Sequence, residues 1–281
     1  MKWQQTTLNC RGTLLHLERP IVMGIINVTP DSFYAASRYD QPDDLLSKAE
    51  QMVSDGVTIL DIGGMSSRPG AKVIDLHVEE KRVLPAVELI RKEFPDLLIS
   101  IDTVQSDVAK GALDRGAHIV NDISAGRIDP AIWQIALEAR APYVLMHMKE
   151  IPETMQDDPH YEDVVIDVLD FLIEKAGKLV ELGMVDIIVD PGFGFGKTVT
   201  DNFKLMTDLH VFKILEKPIM VGLSRKSFVT RSLDTSSKAK DALTGTTALH
   251  MVALQQGAKI LRAHDVKEAM QCIDLWTMLQ Q

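Results

Sequence analysis

Polar side chains that could bind a ligand or carry charge lie at the ends of eight short apolar runs in this sequence. A single such residue says little, since Asp102 or Asn121 could equally cap the helix that follows. A buried polar group without a partner, however, costs roughly 1–3 kcal/mol, and all of the runs share the feature. In chain order the residues are Asn27, Asp61, Asp102, Asn121, His147, Asp190, Ser224 with Lys226, and Arg262 with His264. The pattern predicts one shared polar site.

Cationic groups are concentrated near the last two runs. Arg262 and His264 are two positions apart, so on a strand they project to the same side. "LSRKS" places Lys226 among further donors directly after an apolar run. These residue types favour a ligand that contains an anionic group.

Three polar residues in or beside this set also have a structural interpretation. Asp61 is expected to hold the loop "GGMSSRPG" through backbone hydrogen bonds, with a ligand role as the less favoured alternative. Asp122 follows Asn121 directly and therefore points to the opposite side of its strand. His147 stands between methionines, which is typical of a packed core residue.

The elements that must position these residues alternate between short β-branched apolar runs and longer amphipathic stretches. Strands that alternate with helices in this way form a parallel sheet covered on both faces. Eight repeats favour a closed α/β barrel, the (β/α)8 or TIM barrel, over an open doubly wound sheet. The predicted strands span 21–28, 57–64, 97–103, 118–124, 142–148, 186–192, 218–224 and 259–266. The carboxyl ends of barrel strands meet on one face, where enzymes of this fold place their sites.

The chain of 281 residues suits one such barrel, which needs ~250 residues, and 1–281 is predicted to be a single domain. Residues before 20 are predicted to form a short N-terminal β-hairpin that plugs the barrel bottom. Pro85 is expected to bend the second helix or to mark a short first turn.

The stretch "DPGFGFGK" (190–197) follows an apolar strand and contains three glycines. It lacks the spacing of a phosphate-binding Walker loop and of a dinucleotide fingerprint. It is therefore predicted to be a βα-loop that borders a central pocket, with Asp190 in the pocket floor. Cys10 and Cys272 are too far from any metal-ligand spacing to indicate a zinc site or a disulfide framework.

Composition excludes several classes of partner. The net charge of −10 argues against a general nucleic-acid or anionic-membrane surface. The N-terminus lacks the apolar stretch of a signal peptide, and no run approaches the ~20 apolar residues of a membrane span. A cytoplasmic protein with small-molecule substrates is expected.

Several local strings are more specific than the fold, and through them the chain resembles the dihydropteroate synthase family of pterin-binding barrels. The resemblance runs from about residue 20 to the end, in the expected order. The strings are "GIINVTPDSF" (24–33), "DIGGMSSRPGA" (61–71), "SIDT" (100–103), "VNDIS" (120–124), "LMHM" (145–148), "ETMQ" (153–156), "DPGFGFGK" (190–197), "GLSRKSF" (222–228) and "LRAHDV" (261–266).

The resemblance implies condensation of 6-hydroxymethyl-7,8-dihydropterin diphosphate with p-aminobenzoate, with Mg²⁺ as cofactor and a homodimer as the assembly. It implies that Asn27 is the metal ligand and that Asp102, Lys226, Arg262 and His264 are catalytic. The residues that it assigns to the pterin diphosphate are Ser67, Asp102, Asn121, Asp190, Lys226, Arg262, Ala263 and His264. Those that it assigns to p-aminobenzoate, mostly on loops, are Thr29, Asp31, Phe33, Arg68, Pro69, Phe195 and Ser227.

Two alternatives and some departures from the family pattern remain. A corrinoid methyltransferase that uses methyltetrahydrofolate would share the barrel, but it has no need of "NVTPDSF" or "LRAHDV". A pterin-binding barrel without catalysis is the other alternative. It is motivated by Met65, which stands where the family usually has Glu, and by the unusual "YAASRYD" after the first motif. Ser67 stands where the family usually has Thr and keeps the hydroxyl.

Overall fold

A computed structural model describes residues 5–28, 41–65, 73–149, 159–233 and 242–280. Two antiparallel strands, β1 (Thr7–Cys10) and β2 (Thr13–His16), form the predicted hairpin. Eight parallel strands follow, each within its predicted range. They are β3 (Ile21–Asn27), β4 (Ile59–Gly63), β5 (Leu98–Asp102), β6 (Ile119–Asp122), β7 (Tyr143–Met146), β8 (Ile187–Asp190), β9 (Met220–Val221) and β10 (Ile260–Ala263).

Helices separate the strands along the chain. In the described residues they are α1 (Gln41–Ser54), α2 (Leu76–Glu93), α3 (Ser106–Asp114), α4 (Ala131–Glu138), α5 (Val164–Glu181), α6 (Val199–Thr207), α7 (Ser227–Ser232), α8 (Leu243–Gln256) and α9 (Val266–Leu279). A 3₁₀ segment, Leu209–Leu215, follows α6. α2 continues through Pro85, which lies in its middle, so the alternative of a short first turn at this proline is wrong.

The strands form a ring in the order β8-β7-β6-β5-β4-β3-β10-β9. A parallel bridge between Val189 and Ile219 joins the two ends of the row and nearly closes the barrel. The predicted (β/α)8 barrel is confirmed. Because every connection between strands passes through helices on the outside, all strand carboxyl ends open on one face, here called the mouth.

Successive side chains of each strand point to opposite faces, and the buried apolar ones form three clusters. The outward-facing residues pack under the helices in the largest cluster, which includes Val22, Leu60 and Val120. Inward-facing residues of the lower barrel, such as Met23 and Ile188, form a second cluster. Leu8, Cys10, Leu15 and Leu17 of the hairpin region belong to this second cluster, so the hairpin does plug the barrel bottom.

A third apolar cluster lies at the mouth, and Met65 is part of it. Its buried members are Met65, Val104, Ile123, Met146, Met148 and Phe195. Met65, at the end of β4, therefore packs as an apolar side chain at the position where the resemblance leads one to expect a carboxylate. Above the lower apolar layer the inward positions become polar, and this change of residue type creates the candidate site.

Candidate active site

An ion-pair network spans the barrel interior just below the mouth. The Arg262 guanidinium on β10 donates from Nε to Asp61 Oδ2 at 2.7 Å and from Nη2 to Asp102 Oδ2 at 2.5 Å. Asn121 Nδ2 donates to the same Asp61 oxygen at 2.9 Å. The other oxygen, Asp61 Oδ1, is buried and has no hydrogen-bond partner among the described residues. One cation therefore serves two carboxyl groups.

Burial controls the ionisation of this network. It raises the pKa of Asp102 to about 7, with Arg262 opposing the rise and Asp61 adding to it. The pKa of Arg262 lies above its usual range despite the burial, because Asp61 and Asp102 stabilise the cation. The guanidinium is consequently charged at any pH at which the protein is folded.

A second group of polar residues surrounds the carboxyl end of β8. Asp190 Oδ1 accepts a hydrogen bond from the Gly192 amide at 2.7 Å, and burial raises the pKa of this carboxyl. Lys226 lies at the N-cap of α7 with Nζ 3.9 Å from the centre of the Phe195 ring. Burial lowers the pKa of Lys226 to about 7. This carboxylate and this amine face the same space at the mouth.

The two groups border one cleft that opens to solvent. Its lining combines apolar walls with a few polar groups, as is typical of sites for small ligands. The lining residues are Asn121, Ile123, Met146, Asp190, Phe193, Phe195, Met220, Gly222, Lys226 and Arg262. "DPGFGFGK" thus borders a central pocket and contributes Asp190 to it, as the sequence predicts.

His264 lies beside this cleft, at the end of β10, but it is not a cation. Burial lowers the pKa of the imidazole to about 3, and the neighbouring charges of Arg262, Arg225 and Lys48 lower it further. The Ser224 hydroxyl accepts from the His264 amide at 3.1 Å and lies 3.0 Å from Nδ1. The hydroxyl can hold the neutral ring in either tautomer, because a serine oxygen accepts up to two hydrogen bonds and donates one.

Asp61 takes part in the site more directly than the favoured structural interpretation implies. Its side chain lies fully buried inside the barrel, bonded to Arg262 and Asn121, while residues 66–70 of the loop that it was expected to hold lie outside the described residues. The alternation of the strand contains the missing signal, because Asp61 has the same parity as Ile59, which faces the barrel interior. No local feature of the sequence indicates which cation lies opposite.

Asp122 has the structural role that its position on the other side of β6 predicts. It accepts hydrogen bonds from the amides of Ser124 and Gly126, both at 2.7 Å, and from the Tyr143 hydroxyl at 2.6 Å. These bonds fix the turn after β6 and connect it to β7. His147 is likewise a packed residue as predicted, buried with its ring edge on Phe171.

We expect Asp122→Ala to lower the free energy of unfolding by roughly 3–5 kcal/mol, since each buried donor left unpaired costs about 1–3 kcal/mol. Denaturant unfolding measures the change. Asp114→Ala, which removes an exposed partner of Lys110 on α3, is the control and should change stability by less than ~1 kcal/mol. Equal effects of the two substitutions would contradict the assigned role of Asp122.

The structure brings most of the predicted site residues to the mouth. Asp102, Asn121, Asp190, Lys226 and Arg262 converge there as described. Ala263 and His264 follow Arg262 at the end of β10, half-buried Asn27 ends β3, and exposed Ser227 begins α7. Thr29, Asp31, Phe33, Ser67, Arg68 and Pro69 lie outside the described residues, as does "ETMQ". No described helix is long and apolar enough to cross a membrane.

A sequence profile of pterin binding enzymes matches residues 23–264, which include most of β3 and the other seven strands of the barrel. The chain is 39% identical over 268 residues to dihydropteroate synthase of Escherichia coli K12, covering 95% of this chain and 94% of that protein. It is 41% identical to the enzyme of Bacillus subtilis, covering 92% and 87% of the two chains. The chain belongs to the dihydropteroate synthase family.

Solved dihydropteroate synthase structures have the same fold. The Yersinia pestis enzyme in complex with a sulfonamide drug superposes with a TM-score of 0.91 at 37% identity, covering 98% of this chain and 99% of that one. The Xanthomonas albilineans enzyme with 4-aminobenzoic acid gives 0.91 at 36% identity, covering 98% of each chain. A second structure of that enzyme, in complex with 7,8-dihydropteroate, gives 0.87 at 34% identity with the same coverage. As a dihydropteroate synthase family member, the chain is a transferase.

Proposed function

We propose that this protein joins 6-hydroxymethyl-7,8-dihydropterin diphosphate to p-aminobenzoate, which yields 7,8-dihydropteroate and diphosphate. The observation that carries the proposal is the convergence of Asp102, Asn121, Asp190, Lys226 and Arg262 on one cleft from five different strands or strand ends. Relatives crystallised with 4-aminobenzoic acid and with 7,8-dihydropteroate support the choice of substrates.

The pterin ring is assigned to the lined cleft. Asp190 keeps one carboxylate oxygen on the Gly192 amide and has a second for the amino-pyrimidine edge of the ring. Lys226 donates to the pterin carbonyl from the opposite wall. Asn121 and Asp102 complete the hydrogen bonds on the β5–β6 side, while Met146 and Phe193 cover the ring faces. Paired donors and acceptors in an apolar cleft are the means by which proteins select one polar heterocycle.

The diphosphate is assigned to the β10 side of the mouth. Arg262 supplies a permanent positive charge, and the neutral His264 supplies its Nε2 proton as a hydrogen bond. Ser224 positions this donor: when its hydroxyl donates to Nδ1, the ring proton lies on Nε2. Burial of these groups strengthens their interaction with developing charge on the leaving oxygens.

Magnesium is the cofactor of this proposal, with Asn27 as its protein ligand. The residues fit such an ion: Asn27 ends β3 at the mouth and offers a carboxamide oxygen, the hard donor that Mg²⁺ prefers. The described residues contain no cluster of three or more His, Cys, Asp or Glu that could enclose a metal. This agrees with an ion that takes most of its ligands from water and substrate phosphates. When bound, the ion would neutralise charge on the departing diphosphate.

The chain's own residues favour a dissociative substitution. The bond between the pterin methylene and the diphosphate oxygen breaks first, and its electron pair leaves with the diphosphate toward Arg262 and His264. Asp102 and Asp190 stabilise the cation that spreads from the methylene into the ring. The arylamine nitrogen, held near Phe195 and Ser227, then forms the new bond and releases a proton to solvent. None of these steps uses a covalent enzyme intermediate.

The decisive experiment is an assay of the purified protein with Mg²⁺, the pterin diphosphate and p-aminobenzoate. We expect stoichiometric release of diphosphate and formation of dihydropteroate, both dependent on the arylamine. Tight binding of the pterin diphosphate without turnover would instead identify a pterin-binding barrel that has lost catalysis, and would refute the proposal.

The ionisation of Lys226 predicts the pH dependence. Burial lowers its pKa to about 7, aided by Arg262 and opposed by Asp190 and Asp102. The charged donor is therefore present below pH 7 and lost as pH rises, so kcat/KM for the pterin diphosphate should fall through about pH 7. Lys226→Arg keeps a cation up to about pH 12 and should remove this alkaline fall. If kcat/KM of Lys226→Arg still fell through about pH 7, the titration would belong to another group.

A further inference from the structure

The ammonium group of Lys197, the last residue of "DPGFGFGK", is buried beneath the loop rather than exposed at its edge. The side chain is 4% exposed. Its Nζ donates to Gly192 O at 2.8 Å and to Phe195 O at 3.1 Å, and it lies 2.9 Å from His147 Nδ1. Lys197 does not line the cleft described above. It therefore contacts the loop from behind and has no direct access to the substrates.

Neutral acceptors provide all of these hydrogen bonds, which is unusual for a buried cation. Within the described part of the chain, Lys197 makes no salt bridge with a carboxylate. Burial lowers the pKa of Lys197 to about 7, although the more distant charge of Asp190 opposes this. A buried charge paired only with backbone and imidazole acceptors is destabilising by itself.

The imposed geometry is a closed turn. Gly192 O and Phe195 O both point at one ammonium, and the Phe195 amide donates to Gly192 O at 3.2 Å. Gly192 adopts φ +71, and a Cβ there would lie 1.9 Å from the His147 carbonyl oxygen, so only glycine allows this approach. The loop is thus packed directly against the end of β7.

Helix α6 holds the other side of the same loop. The buried Asn202 accepts from the Gly194 amide at 2.6 Å and donates to Lys197 O at 3.3 Å. The Thr198 and Asp201 capping box fixes the start of this helix. Lys197 and Asn202 therefore hold the loop between two rigid elements, β7 and α6.

The loop in turn determines the position of Phe195. This side chain is buried, lines the cleft and lies 3.9 Å below the Lys226 ammonium. We infer that Lys197, with His147 as its acceptor, is a positioning residue that fixes the Phe195 and Lys226 wall against which the arylamine binds. This inference rests on the function proposed above. It assigns to Lys197 a larger effect on the second substrate than on the pterin, because Asp102, Asn121 and Arg262 reach the pterin diphosphate from β5, β6 and β10.

His147 is suited to this role because it remains neutral. Burial and the charge of Lys197 lower the pKa of the imidazole well below its usual range. Nδ1 is therefore a free acceptor for the ammonium, and the proton of the ring resides on Nε2. A side chain with an acceptor at the same δ position can replace the histidine, whereas an apolar one cannot.

The test uses Lys197→Met, which keeps the length of the side chain and removes its charge. We expect the KM for p-aminobenzoate to rise by about ten- to a hundredfold, as loss of charge-assisted hydrogen bonds predicts. The dissociation constant of the pterin diphosphate with Mg²⁺, measured by calorimetry, should change much less than the arylamine KM. The control is Lys204→Met on α6, which removes an exposed lysine paired with Asp163 and Asp208 and should alter neither value. Equal weakening of both substrates, or an unchanged arylamine KM, would overturn the inference.

Two His147 variants and one substrate-free measurement complete the test. His147→Asn keeps a δ acceptor and should keep the wild-type arylamine KM, whereas His147→Leu should raise it, and this pair decides the matter if Lys197→Met does not fold.

Amide hydrogen exchange of residues 192–196 should be faster in Lys197→Met than in the Lys204→Met control. Exchange needs no turnover, so absent synthase activity in the wild type would refute the proposed function while leaving the role of Lys197 in the loop separately measurable. Equal exchange in both variants would refute that role.

Discussion

Arg262→Met should lower kcat/KM by at least about a hundred- to a thousandfold, the loss that follows removal of one oxyanion donor. It should also lower the free energy of unfolding by about 3–5 kcal/mol, because removing one member of a buried ion pair leaves its partners unpaired. Here two carboxylates are left, those of Asp61 and Asp102. Steady-state kinetics and denaturant unfolding measure the two effects.

The loss of stability should depend on pH with a definite sign. Arg262 lowers the pKa of Asp102, so its removal raises that pKa further above the unfolded value. A carboxyl whose pKa is higher in the folded state stabilises the fold at low pH and loses this contribution as pH rises. Arg262→Met should therefore be more destabilising at pH ~8 than at pH ~5. The opposite order would show that Asp102 is not held by Arg262.

Arg262→Lys and Arg19→Met are the matched controls. Lysine restores the charge, but a single ammonium cannot bridge two carboxylates as the planar guanidinium does, so intermediate activity is expected. Arg19 forms an exposed ion pair with Asp274, and both side chains are more than half exposed. Arg19→Met should change stability by less than ~1 kcal/mol and leave the kinetics unchanged.

Asp190→Asn should lower kcat/KM for the pterin diphosphate by about ten- to a hundredfold, since the charge-assisted hydrogen bond to its free oxygen contributes roughly 1.5–3 kcal/mol. The pterin edge offers donors, and an amide has only one acceptor atom to offer in return. The fold should persist, because the amide oxygen can still accept from the Gly192 amide. Calorimetric titration with the pterin diphosphate measures the loss of affinity directly.

The control for Asp190→Asn is Asp163→Asn. Asp163 caps α5 by accepting from the amides of Val165 and Ile166, and it lies at the surface. Asparagine is also a good N-cap residue, so this variant should bind the pterin diphosphate with wild-type affinity. Near-normal affinity in Asp190→Asn would remove Asp190 from the pterin site and would require another carboxylate there.

Much of the fold could be predicted from sequence because its signals are local and repeated. Each barrel strand is a short apolar run that must be covered on both faces, and each helix shows its own periodicity. Glycine is a local signal for the end of a helix, and Gly257 ends α8 with φ +107. The position of Pro85 was harder to interpret, since a proline signals an interruption while packing on both sides of it can preserve the helix.

The sequence indicated which residues belong to the site, but it indicated less well which of them contact one another. Asn121 and Asp122 are neighbours in the chain with opposite roles, and strand alternation separates them. The same rule applied to Asp61 places it inside the barrel, yet a nearby glycine-rich loop gave a competing local explanation. The pKa values of Lys226 and His264, lowered to about 7 and about 3, depend on burial that no residue type reveals.

The sequence by itself determined the alternation of strands and helices, the barrel that follows from it, and the polar residues that end each strand. It also determined the family, because the strings at those ends are specific. Only the tertiary structure decided that Arg262 bridges Asp61 and Asp102, and that Lys197 holds its loop from behind. The physical reason is distance along the chain: Asp61 and Arg262 are 201 positions apart, and their contact depends on the register of every strand between them. Periodicity is encoded locally, whereas ion pairing and burial arise only when the ring of strands closes.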